Sequence, residues 1–360
     1  MVLLAGLLAA AACHGQGDRQ AGTGTAGAGG IAGAGAGGAA AGGAGAGGAG
    51  AGGAGAGGAG ASGAGACGAG AGGAGTGGAG GGPAAGPRGL YVSLHADHVG
   101  VFALSGAAEI LRNVLGDVAK EAHLLDFART HEITTLTLYD LGSILDDRAL
   151  SEALIAFAAR ARAAGILRLE AIGAADAAAW DRIAAFQRTH GTFDGLVTEI
   201  EFWNGDVTFA ELTRLLDDLR ALGLADARGA PLPLAVYVGR FDAAQALELA
   251  RRVDRVYVHC YTRSGESTFD YGRERFQLLA AASTMTGRAL DVLPIFSAEG
   301  VDFRAGGETF MGEWLSAHGL DEAERWFLGG WSAAALPASL RLAGTQYYEY
   351  VFLERYLGAP

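Results

Sequence analysis

The stretch FDGLVTEIEFWN, residues 193–204, sets two glutamates, Glu199 and Glu201, into an otherwise apolar run. Side chains alternate along a β-strand. Over residues 196–203 one face carries Leu196, Thr198, Ile200 and Phe202, and the other carries Val197, Glu199, Glu201 and Trp203. The mostly apolar set suits packing under a layer of helices. The second set then turns into the interior of a closed sheet, near the C-terminal end of a strand. Active sites of parallel barrels lie at that end.

Seven more strand-like runs surround this one: GLYVSLH (89–95), ITTLTLYD (133–140), ILRLEAIG (166–173), PLAVYVG (233–239), DRVYVHCY (254–261), LDVLPIFS (290–297) and LRLAGTQYY (340–348). Between them lie patterns of helical period, clearest over residues 122–131, 149–165, 177–191, 209–223 and 242–253, where apolar residues recur at spacings of three and four. Gly165 and Gly223 stand where helices should stop. Strand–helix alternation eight times over predicts a parallel sheet with right-handed crossovers. The length, about 270 residues from 88 to 360, predicts an α/β fold of one kind, a single (β/α)8 TIM barrel. An open doubly wound sheet is disfavoured because LHADHVGVFALSG, after the first strand, lacks G-x-G-x-x-G.

The rest of the chain is of another kind. Residues 1–12, MVLLAGLLAAAA, are too short to span a bilayer and read as a secretory signal. Cys13 follows Ala10, Ala11 and Ala12, a run that resembles a bacterial lipoprotein signal and implies lipidation of Cys13. From there to Pro87 the chain is almost only Gly and Ala, with too little side chain to offset its ordering entropy. A disordered tether is expected, with a reach of about 45 Å by flexible-linker scaling. Together these features place the protein in the cell envelope, anchored to a membrane by lipid and facing outside the cytoplasm.

Apart from Asp18 and Arg19, which cancel, every Asp, Glu, Lys and Arg lies at or after residue 88, so that part carries the whole net charge of −12. Nucleic acid, which needs clustered Lys and Arg, is excluded as a partner. Of three cysteines, Cys13, Cys67 and Cys260, the last alternates with Val256 and Val258 and reads as a core residue. No disulfide framework or zinc spacing is visible, and no cofactor is expected.

Polar and aromatic residues gather at the ends of the other strands too. The first brings Ser93 and His95, the second Tyr139, the third Glu170, the fifth Tyr237, the sixth His259 and Tyr261, the seventh Ser297 and Glu299, and the eighth Gln346 or Tyr348. Glutamates two apart on a strand stand roughly 6–7 Å apart at Cα. Like charges that close push one pKa up, which suits a general acid near neutral pH. Aromatic rings nearby suit the apolar faces of sugars. This combination points to glycosidic bond chemistry.

FDGLVTEIEFWN also resembles the fourth-strand signature of glycoside hydrolase family 18, the chitinase-like barrels, which runs Asp-Gly and then Asp-x-Asp-x-Glu. Asp194 and Gly195 match, Glu201 falls on the catalytic acid, Glu199 takes the place of the assisting Asp, and Val197 replaces the first Asp. Tyr261 stands where a tyrosine steadies the substrate, and Thr262 follows where Asp is common. The resemblance implies Glu201 as proton donor with Glu199 tuning or orienting. The cleft would be lined by His95, Tyr139, Trp203, Asn204, Tyr237, His259, Tyr261, Glu299 and Tyr348, and would hold a glycan.

Three other readings stand beside this one. Glu199, Glu201, His95, His259 and Glu299 could converge on a metal, although no H-x-H or H-E-x-x-H pair is present. Ser93 or Ser297 could act as a nucleophile, although neither has a G-x-S-x-G turn. The altered acidic positions also fit a non-catalytic carbohydrate-binding or scaffold lipoprotein. Trp314 and Trp331, in FMGEW and GGWSAAALP, would either rim the mouth or pack a last helix.

Overall fold

The computed structural model describes residues 86–95, 111, 113–299 and 311–358. The expected signal, Cys13 and all of the Gly/Ala-rich stretch except Gly86 and Pro87 lie outside the described residues.

Nine strands build one sheet: β1 (Arg88–Ser93), β2 (Ile133–Tyr139), β3 (Arg168–Gly173), β4 (Gly195–Thr198), β5 (Leu234–Val238), β6 (Arg255–His259), β7 (Leu290–Ser297), β8 (Leu340–Leu342) and β9 (Thr345–Tyr348). Each of β1 to β6 pairs in parallel with the next, β6 pairs with β7, and β9 pairs with both β7 and β1, so the sheet closes. β8 and β9 are two pieces of one eighth stave. Leu340 lies beside Leu290 low on β7, and Tyr348 beside Ser297 at its top. The run 340–348 is thus the expected eighth strand, broken at Ala343 and Gly344. Gly344 has φ 138, and a Cβ there would lie 2.2 Å from the Pro87 carbonyl oxygen. The result is the (β/α)8 barrel that the alternation predicts.

The helices are α1 (Val118–Thr130), α2 (Leu141–Asp146), α3 (Arg148–Ala163), α4 (Ala177–His190), α5 (Phe209–Ala221), α6 (Ala243–Arg252), α7 (Thr268–Thr286), α8 (Gly312–Ala333) and α9 (Tyr350–Leu357). Their starts are written in short polar residues. Asp117, Asp147 and Asp176 accept from first-turn N–H groups, and Thr208–Glu211 and Asp242–Gln245 form reciprocal capping boxes. Gly165 and Gly223 follow α3 and α5 with φ of 100 and 58, as helix-stop glycines should.

The strands are covered on both sides, as in parallel sheets generally. Leu90, Val92, Leu136, Leu138, Leu169, Ala171, Leu196, Val236, Val256 and Val258 face outward into the core shared with the helices. Cys260 joins that core, fully buried. The opposite parity fills the interior with Tyr91, Ile172, Val197, Ala235, Tyr237, Tyr257, Leu293 and Ile295. Barrel interiors are usually packed with branched aliphatic residues; this one is rich in tyrosine.

A buried ion pair fastens α8 to the seam. Arg88 donates to both carboxylate oxygens of Glu324 at 2.8 and 2.9 Å, and Glu324 also accepts from Thr345 and Tyr347 at 2.8 and 3.1 Å. Trp331 packs on Phe276 and Phe327, and Trp314 stacks on His318, so both tryptophans serve the helix layer.

Two strand-level expectations change. The fourth strand ends at Thr198, not at residue 203. Its ladder gives out after the Glu199 N–H bonds to the Gly173 carbonyl at 3.0 Å; the chain then turns, with Phe202 donating to Ile200 and Asn204 to Glu201 at 3.0 and 2.8 Å. A short 3-10 turn follows over Phe202–Asn204. Strand parity therefore governs Glu199 but not Glu201 or Trp203. The second change concerns Glu170, which lies low in the barrel interior and not at the mouth.

Candidate functional site

Glu199 emerges at the C-terminal end of β4 on the same parity as Val197, an interior residue. Tyr139, at the end of β2, donates its hydroxyl to the Glu199 carboxylate. Burial first, and then the neighbouring Glu199 charge, push the Tyr139 phenol well above its ordinary pKa. The phenol stays protonated and serves as a donor. Burial and then Glu199 act on Tyr91 in the same direction.

A chain of rings runs around this pair. Trp203 meets Tyr237 with centroids 5.5 Å apart, Tyr237 meets His259 at 6.2 Å, and His259 stacks on Tyr261 at 4.0 Å. Tyr261 stacks on Tyr348 at 6.1 Å, and Tyr348 stands edge-on to Tyr139 at 6.4 Å. Tyr91 lies beneath, 5.6 Å from Tyr139 and 5.8 Å from Tyr348. Six of the expected mouth residues (Tyr139, Trp203, Tyr237, His259, Tyr261 and Tyr348) thus form one aromatic wall, with the Glu199 carboxylate bonded into it through Tyr139.

Backbone ties hold the wall in place. Arg275, from α7, donates to the carbonyls of Gly239 and His259 at 3.1 and 2.5 Å and so clamps the ends of β5 and β6. Gly239 carries no side chain where Trp203 packs; a Cβ there would fall 2.6 Å from the indole.

The remaining candidates take other positions. Glu201 is buried and accepts from the Asn204 side chain, while its own N–H donates to Asp206 at 3.3 Å. It sits in the turn after β4, one step beyond Glu199. Asn204 is exposed. His95 is half-buried beyond β1, and its N–H lies 3.4 Å from an Asp140 carboxylate oxygen. Glu299 is buried beyond β7 and accepts from Ser297 Oγ at 2.9 Å. Among the described residues no three His, Cys, Asp or Glu side chains group so as to hold a metal ion.

Two polar features escape a strand-by-strand reading. Glu349, fully buried, accepts from the Ser93 hydroxyl and from the Ser93 N–H, the latter at 3.0 Å, next to Tyr348. Tyr91 and Tyr257 line the interior below the wall, 6.3 Å apart. Parity carries the signal for both tyrosines: Tyr91 lies two residues before Ser93, and Tyr257 two before His259.

Asp194 and Gly195, the two residues matching the family signature, serve the other end of the barrel. Asp194 accepts from the Leu169 N–H at 2.9 Å and from Arg162 at 3.0 Å. A Cβ on Gly195 would stand 3.3 Å from a Glu170 carboxylate oxygen.

No protein-family model matches the chain, and no curated protein matches it. Several solved structures resemble it in fold. A glycoside hydrolase family 17 β-1,3-glucanosyltransferase from Rhizomucor miehei has 11% identity over 72% of this chain and 86% of its own, with a TM-score of 0.41. A chitinase-like lectin from tamarind has 11% identity over 75% and 96%, with 0.38. The homocysteine methyltransferase MmuM from Escherichia coli has 16% identity over 74% and 95%, with 0.39. These are likenesses of barrel to barrel and carry no argument about chemistry.

Proposed function

We propose that the barrel mouth binds a glycan and cleaves a glycosidic bond, with Glu201 as proton donor and Glu199 as the carboxylate that orients or tunes. The observation that supports it is the Tyr139–Glu199 hydrogen bond set into a wall of Trp203, Tyr237, His259, Tyr261 and Tyr348. Aromatic faces take up the C–H faces of sugar rings, and a carboxylate beside them meets the hydroxyl edge. In the reaction, the Glu201 proton passes to the glycosidic oxygen as the C–O bond breaks. Water supplies the hydroxyl that ends on the sugar, and its proton restores the acid. The similarity of FDGLVTEIEFWN to the family 18 signature points the same way.

The protein that carries this barrel is exported and anchored by a lipidated Cys13, with the Gly/Ala stretch as tether. Detergent phase partitioning tests the anchor. Wild type is expected in the detergent phase and Cys13→Ser in the aqueous phase; wild type in the aqueous phase would refute it.

The activity is tested on a panel of aryl glycosides and oligosaccharides, wild type beside Glu201→Gln. Turnover that falls at least a hundredfold in the variant, with glycan affinity retained, supports the reading. Wild-type protein that binds glycans without turnover is a lectin.

A further inference from the structure

The end of the barrel opposite the mouth holds a second polar centre. Glu170, from β3, accepts from Arg168 at 2.8 Å and Arg255 at 3.0 Å through one oxygen. Its other oxygen accepts from Tyr257 and from Thr137, the latter at 3.2 Å. Gln346, fully buried on β9, points its amide nitrogen to the Tyr257 hydroxyl at 3.4 Å. Because Tyr257 donates to Glu170, it accepts from Gln346, and that places the Gln346 carbonyl oxygen on the other side.

A small recess of about 30 Å³, open to solvent, lies there, lined by Arg168, Arg255, Gln346, Thr135, Gly89 and Ala343 among others. Gly89 makes room for Gln346 at its edge, since a Cβ there would fall 2.2 Å from the Gln346 amide. Ala343 marks the break between β8 and β9, where the eighth stave is interrupted.

The polar atoms of this recess are unsatisfied in a complementary way. The Gln346 Oε1 acceptor and the Arg168 and Arg255 Nε–H donors are buried and meet no hydrogen-bond partner among the described residues. Arg255 Nε lies 3.5 Å from an Asp291 oxygen, and Asp291 is itself paired with Arg341 at 2.7 Å. Of the residues that line the recess, Arg168 and Arg255 face only the Glu170 carboxylate, while Asp291, outside the lining, is shared between Arg255 and the largely exposed Arg341. Buried polar groups are normally satisfied, and a buried charge is normally balanced.

We infer that this recess is a binding site for a small oxyanion that keeps a hydroxyl, hydrogen carbonate or hydrogen phosphate. Its oxygens accept from the arginine Nε–H groups, and its own O–H donates to Gln346 Oε1. A halide or sulfate answers the charge but has no proton for Gln346. Water answers the hydrogen bonds but not the charge. The site is independent of the glycan mouth and of any reaction there.

The test is thermal unfolding of the full chain at constant ionic strength in sodium chloride, sulfate, phosphate or bicarbonate. Sulfate controls for general stabilisation by excluded salts. Phosphate or bicarbonate is expected to raise Tm saturably, by about 2–4 °C above sulfate once several-fold over its Kd. Whichever of the two acts at lower concentration identifies the ligand. Gln346→Met, which keeps the volume and removes the carbonyl, is expected to abolish the excess over sulfate. Should that variant not fold, ³¹P and ¹³C NMR titrations of wild type with phosphate and bicarbonate read binding directly, as line broadening that saturates. Shifts from phosphate and bicarbonate that both merely equal that from sulfate, no saturable signal from either anion, or an excess that survives in Gln346→Met would overturn the inference.

Discussion

The Tyr139 hydroxyl donates to the Glu199 carboxylate across β3, joining the tops of β2 and β4. The bond fixes where Glu199 points in a wall that is otherwise aromatic. Hydrogen bonds to charged groups contribute about 1.5–3 kcal/mol. Tyr139→Phe keeps the ring and removes the donor, so turnover should fall about 10- to 100-fold, while glycan affinity changes less. Steady-state kinetics of the two proteins check this. An unchanged kcat would mean that Glu199 needs no positioning by Tyr139.

Gly239 gives a second handle on the same wall. Its substitution by Ala puts a Cβ 2.6 Å from the present position of the Trp203 indole, which must then leave Tyr237. An aromatic pair contributes about 0.5–1.5 kcal/mol beyond area burial. Glycan affinity measured by calorimetry should drop about 2- to 10-fold in Gly239→Ala, with kcat affected less. Affinity equal to wild type would remove Trp203 from the binding surface.

The barrel was readable from sequence because its outward and inward faces differ in chemistry. ITTLTLYD alternates Leu with Thr and Tyr, and LDVLPIFS is bounded by the residues that also bound β7. The mouth was readable for the same reason, through Tyr139, Tyr237, His259 and Tyr348 at strand ends. The limits of that reading are equally physical. Alternation says which side a residue faces but not where the ladder stops. The stretch 196–203 looks like one strand although backbone bonds turn the chain after Glu199. Parity also says nothing of height, so Glu170 passed for a mouth residue when Arg168 and Arg255 hold it at the other end. The Arg255 pairing joins residues 85 apart in the chain and leaves no local mark, and the one local sign is Arg168, two residues before Glu170 on the same strand face.

Glu170 makes stability depend on pH. Burial pushes its carboxyl above the ordinary carboxylate value, against the pull of Arg168, Tyr257 and Thr137. A folded-state pKa above the unfolded one means that the native protein binds the proton more tightly. The resulting stabilisation is complete below the unfolded carboxylate pKa and is lost as pH rises through the raised one. Urea unfolding from pH 4 to 8 should show this fall in wild type and a flatter profile in Glu170→Gln. Parallel profiles would show that the fall, if present, comes from other groups.

The central claim is that the aromatic mouth around Glu199 performs glycosidic cleavage, with Glu201, in the turn after β4, as the acid. The most direct measurement is a product time course on a panel of oligosaccharides, followed by mass spectrometry, for wild type and Glu201→Gln at equal concentration. The account predicts new reducing ends and shortened chains from at least one oligosaccharide with wild type, and none above background with Glu201→Gln. Cleavage that persists undiminished in Glu201→Gln, or intact oligosaccharides throughout with wild type, would contradict it.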